Sequence, residues 1–195
     1  VCPLSSSHMD LLDRELGSLH IQDGASQDGY YSLFKYAREN DVTRISQLLV
    51  TYPTLDINRR DSDGDTVVHM AARGACREVL RWLAVHCDTL DLSLYNYHGY
   101  TPLMVATSTY LSSIHNPAYA LFIQLLLQLG ADLHQRTPNG ITAMDMLHTS
   151  RMTTTSDIQN LAEVMQQAQQ HPARDVLAAK NRTIASLRAQ LQAEQ

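Results

Sequence analysis

The sequence predicts an all-α solenoid of about four helix-turn-helix units joined by short hairpin loops, followed by a C-terminal helix. Three observations carry this. A turn glycine followed two residues later by threonine, then by small and apolar residues, recurs at Gly64–Thr66, Gly99–Thr101 and Gly140–Thr142. Residues 33–50 align with residues 68–85 position for position, which makes a fourth copy of the helical part. Leu-rich stretches close the copies, and Val79, Leu80 and Leu83 place an apolar stripe on one helical face. One helix pair cannot bury such a stripe alone, so neighbouring units must cover it.

Taken in order, residues 1–29 precede the repeats. Ser5 to Met9 resembles a tag remnant and carries no fold information. Leu11, Leu12, Leu16 and Leu19 share a helical face, which predicts a short helix against the first unit, and residues 21–29 read as a linker. Residues 30–171 form the repeat domain. Gly64, Gly99 and Gly140 suit tight turns that need a positive φ. Thr66, Thr101 and Thr142 can each cap the helix that follows. Ala71, Ala72 and Ala106 are small enough for paired helices to approach closely.

The spacing from Asp61 to Asn96 is 35 residues, and from Asn96 to Thr137 it is 41. The extra residues fall near 108–116, between the two helices of the third unit, and read as a surface loop available for binding. Tyr110, Leu111, Ile114 and His115 are its candidate contact residues. Residues 157–171 read as the outer helix of the last unit, with Ile158, Leu161, Val164 and Met165 on one face and Ser156 as cap. His171–Pro172 ends that pattern. In residues 172–195, Leu177, Ile184 and Leu191 lie seven apart. They predict either the start of a self-associating coiled coil or a helix capping the stack.

Composition narrows the function classes. The 195 residues carry a net charge of -5, with 15 basic and 20 acidic side chains and 18% charged residues. That balance argues against a basic nucleic-acid-binding surface. Only Lys35 and Lys180 are lysine, so arginine dominates the basic residues, a bias suited to carboxylate recognition. Three cysteines, Cys2, Cys76 and Cys87, form no disulfide framework and suit a reducing compartment, the cytoplasm or the nucleus. No run of about 18 apolar residues predicts a membrane span.

The motifs resemble the ankyrin repeat, whose pattern is Gly-x-Thr-Pro-Leu-His-x-Ala-Ala, a Leu-Leu helix and Gly-Ala-Asp. Gly99, Thr101, Pro102 and Leu103 carry one part, His69 to Ala72 another, and Gly130 to Asp132 the third. Val67 replaces the motif proline, Met104 the motif histidine, and Ala143 to Asp145 degrade the last copy. The resemblance implies a non-catalytic protein–protein interaction module, a scaffold or adaptor. Asp63 to Thr66, the Leu-Asp-Leu at 90–92 and the lengthened third unit add a weaker resemblance to IκB-like inhibitors and other ankyrin-containing transcription regulators. It also implies that His69 hydrogen-bonds between neighbouring turns, and that Asn58 fills a position hydroxylated in some family members.

Catalytic and metal chemistry find no footing. Asp61, Asp63 and Asp65 suggest a calcium loop, but Arg59 and Met70 stand where its other ligands belong. Cys76, His86 and Cys87 lack zinc spacing. No nucleophile elbow, P-loop or dinucleotide fingerprint occurs. No enzyme, cofactor or metal is expected.

The resemblance also places the partner on the concave face, made of hairpin tips and first-helix ends. Tip positions include Asp63, Asp65, Tyr97, His98, Tyr100, Pro138, Asn139 and Ile141, and helix ends add Arg38, Arg73, Ser108 and Thr149. Tyr95, Tyr97 and Tyr100 cluster at one tip, and tyrosine and arginine are enriched at binding hot spots. The expected site is a tyrosine-centred groove flanked by Asp63, Asp65 and Arg73, suited to apolar and basic side chains of a partner.

Overall fold

The computed structural model describes residues 24–113, 116–149 and 155–170. Eight helices run through them. They are α1 Gly24–Glu39, α2 Val42–Thr51, α3 Val67–Gly74, α4 Arg77–His86, α5 Pro102–Ser112, α6 Pro117–Gln128, α7 Ala143–Thr149 and α8 Thr155–Gln170. They form four consecutive pairs. The first helices pack in the order α1, α3, α5, α7, the second helices in the order α2, α4, α6, α8, and each pair closes on itself. The result is a two-layer stack with one continuous core between the layers.

Local chemistry sets the helix boundaries. Asn40 adopts a left-handed conformation after α1, and the Asp41 carboxylate then accepts from the Arg44 amide at 2.9 Å to start α2. Thr101 accepts from the Met104 amide, and Pro102 occupies the first turn of α5, where no amide hydrogen is needed. Asn116 and Pro117 start α6 in the same way. Ala71, Ala72 and Ala106 are fully buried where the inner layer is tightest, while Leu80, Leu83, Phe122, Ile123 and Leu126 fill the space between layers. In α8, among the described side chains, Leu161, Met165 and Ala168 are buried.

Three sequence expectations change. Residues 24–29 belong to α1 rather than to a linker, because the helix runs two turns past the first repeat match. Residues 108–112 extend α5 by more than a turn instead of forming a loop. The Thr109 and Ser112 hydroxyls bond back to the Val105 and Ser108 carbonyls, which accommodates these weak helix formers. Tyr110 is consequently a buried core residue, not a loop contact. Finally, α8 starts at Thr155, ahead of Ser156. Ile114, His115, the leucines of the N-terminal segment and residues 172–195 lie outside the described residues. No described helix is long and apolar enough to cross a membrane.

Candidate functional site

The three hairpin tips share one geometry. In each, the first residue's amide donates to the carbonyl four residues on: Asp61 to Asp65 at 2.9 Å, Asn96 to Tyr100 at 2.9 Å, and Thr137 to Ile141 at 2.8 Å. The side chain of that first residue holds the turn from within. Asp61 Oδ1 accepts from the Asp63 and Asp65 amides, Asn96 Oδ1 from His98 and Tyr100, and Thr137 Oγ1 from Ile141. Gly64 and Gly99 take the positive φ that these turns require.

Adjacent tips are then tied together. The Tyr97 amide donates to the Asp63 carbonyl at 2.9 Å. The Tyr95 hydroxyl donates to the Arg136 carbonyl at 2.9 Å. His69 caps its own helix and reaches across: Nδ1 accepts from the Thr66 amide at 3.1 Å, and Nε2 donates to the Tyr100 carbonyl at 3.0 Å. Only the neutral Nε2–H tautomer satisfies both partners. Burial holds its pKa below the ordinary histidine value. In the last unit Asp145 takes the same capping position, accepting from the Thr142 amide and hydroxyl, and those bonds hold its carboxyl below the usual range. The copy that looks degraded in sequence therefore keeps its cap.

Between the second and third tips lies a groove of about 1280 Å³. Tyr95, Tyr97, His98, Tyr100 and Leu111 line it, so five of the expected contact residues come together. Pro138, Asn139, Ile141, Ser108 and Thr149, placed on the binding face by the resemblance, line it too. Two side chains stand out from the core: Tyr97 is 69% exposed and Ile141 41%. Arg136 and Met146 also line it and were not singled out from the sequence. Arg136 was legible in principle, because it precedes the third tip just as Tyr95 precedes the second.

The other expected residues sit elsewhere. Asp65 is 1% exposed and is a structural hub. Its Oδ2 accepts from Arg73 Nε at 2.9 Å and Nη2 at 2.6 Å, and its Oδ1 accepts from Asn96 Nδ2 at 2.7 Å. Asp65 and Arg73 thus tie the second unit to the next tip and do not flank the groove. Asp63 contributes its backbone carbonyl to the neighbouring tip and does not line the groove. Arg38 is half-buried in the first unit, away from the lining, and its Nε has no hydrogen-bond partner. Burial first, and the Arg73 charge second, hold its pKa below the usual arginine range. Asn58 is engaged at both ends of its amide, donating to the Thr89 carbonyl and accepting from the Asp91 amide.

Asp61 gives a pH test. Its Oδ2 is buried without a partner, and burial pushes the carboxyl up to about 6. A carboxyl raised above its unfolded value of about 3.9 stabilises the fold most when protonated. That contribution is complete below about pH 4 and disappears as pH rises through the folded value. Asp61→Asn keeps the Oδ1 acceptor and removes the charge. Urea unfolding should show its stability relative to wild type rising by about 1–2 kcal/mol from pH 4.5 to 7.5. A relative stability that stays flat across that range contradicts the assignment.

Tandem helix pairs with aligned, mutually bonded loop tips define a helical-repeat protein. Residues 33–137, more than half of the chain, match the family model described as ankyrin repeats, three copies. The chain belongs to the ankyrin-repeat family. The α7–α8 pair lies beyond the matched residues and continues the stack. No curated protein matches the chain. Ankyrin repeats are generally protein–protein interaction modules, and the family is generally non-catalytic. Among the described residues, no group of three or more His, Cys, Asp or Glu could hold a metal ion.

Proposed function

We propose that this chain is a non-catalytic adaptor that holds a partner protein in the groove between its second and third tips. The observation that carries the reading is the exposure of Tyr97 and Ile141 on one groove, beside the half-buried Tyr95, Tyr100, Leu111 and Met146. Exposed aromatic and aliphatic side chains beside a concave surface are the usual anchors of an interface. The groove is held open by structure beneath it: the His69 and Asp65 bonds fix the second tip, and the Tyr95 hydroxyl fixes the third. Little ordering cost then remains for binding. Cys76 and Cys87 are thiols rather than a disulfide, in keeping with work in the cytoplasm or nucleus.

The test compares wild type with Tyr97→Ala/Ile141→Ala as bait in affinity purification. Both side chains are exposed, so the fold and its unfolding midpoint should be kept. A protein retained by wild type should be lost from the variant, with affinity weakened by more than about 2 kcal/mol. The identity of that protein also decides whether it is a transcription factor. Equal retention by both baits would falsify the groove assignment.

A further inference from the structure

The charge of the groove runs opposite to the one expected from sequence. The two acids expected to flank it are not there: Asp65 is buried and ion-paired, and Asp63 is not part of the lining. Among the described residues that line it there is no Asp or Glu, and Arg136 supplies a full positive charge. Arg136 is exposed, and Nη1 donates to the Gly140 carbonyl at 2.7 Å, which fixes the guanidinium beside the third tip. Asp145 feels the Arg136 charge but does not line the groove, and its Oδ2 is taken up by Thr142. The rest of the lining mixes apolar and aromatic side chains, Tyr97, Tyr100, Leu111, Ile141 and Met146, with uncharged polar ones and His98.

On the reading that this groove is the binding site, we propose that its occupant is an acidic protein segment. The segment inserts an apolar side chain between Tyr97 and Ile141 and sets an adjacent carboxylate against Arg136. A guanidinium fixed at one end presents its remaining N–H groups as a fork, which matches a carboxylate. A basic segment would find no carboxylate on the lining and would meet Arg136 as a like charge. The chain's net charge of -5 does not reverse this, because salt screens charges beyond about 8 Å while Arg136 stands at the groove itself.

Selection from a library of random twelve-residue peptides displayed on phage tests this directly. Wild type, Tyr97→Ala/Ile141→Ala and Arg136→Gln serve as parallel baits, each first checked for native circular dichroism. Peptides recovered on wild type should pair a Leu, Met or Phe with neighbouring Asp or Glu. Synthesised as free peptides, they should bind the double variant and Arg136→Gln at least about tenfold more weakly, and wild-type binding should weaken as salt rises from 50 to 500 mM. Recovered peptides rich in Lys or Arg that still depend on Tyr97 and Ile141 would overturn the acidic chemistry and leave the groove standing. Salt-independent binding would do the same. Failure to enrich any peptide that the double variant loses would overturn the groove reading itself.

Discussion

Asp65→Ala is expected to cost about 2–4 kcal/mol of folding stability, because it leaves a buried amide without its acceptor and the part-exposed Arg73 without its counter-ion. The loss has two parts. Arg73 loses the acceptor for Nε and Nη2, and the buried Asn96 amide loses its acceptor across the unit boundary. Because the stack is stabilised between nearest neighbours, weakening that boundary should also lower the cooperativity of unfolding. Urea unfolding of wild type and variant reads both effects, the second as a shallower slope. A loss under about 1 kcal/mol with an unchanged slope would mean that Asp65 is a surface acid after all.

Gly64→Ala should cost about 2–4 kcal/mol, well above Gly140→Ala at about 1–2 kcal/mol. Both glycines sit at a positive φ, +77° and +79°, so both substitutions carry the same backbone strain. The surroundings separate them. A Cβ at position 64 would stand 2.6 Å from the Tyr97 amide nitrogen and 2.8 Å from its ring, whereas nothing lies within 4 Å of one at position 140. The first and second tips must therefore part to admit the added methyl group, and the bond from the Tyr97 amide to the Asp63 carbonyl goes with them. Thermal unfolding of the two variants side by side measures the gap. Equal losses would mean that tip contact contributes nothing.

The stack itself was legible because its signals are local and repeated. Thr66, Thr101 and Thr142 mark helix starts wherever they occur, and the apolar stripe of Val79, Leu80 and Leu83 has one explanation. Long-range partners were not legible. Asp65 sits at a hairpin tip, where acids are ordinarily exposed, and only the arrival of Asn96 from the next tip and Arg73 from two turns along α3 buries it. The lengthened third unit misleads for a related reason. Its serines and threonines read as loop, but Tyr110 finds the core and pulls the helix through them. At the N-terminus, a glycine-containing segment reads as linker although α1 covers residues 24–29. The groove was half visible. The tyrosines stand out by their clustering at the second tip, while Arg136 and Met146 join them only because the third tip leans against the second through Tyr95.

Everything proposed for this chain's function places binding in the groove between the second and third tips. The most direct measurement is isothermal titration of one groove-selected peptide into wild type and into Tyr97→Ala/Ile141→Ala, with the unfolding midpoint of each sample taken alongside. The expected result is an affinity lower by about 30-fold or more in the variant, at an unchanged midpoint. Equal affinity in the two proteins, at equal stability, would contradict it.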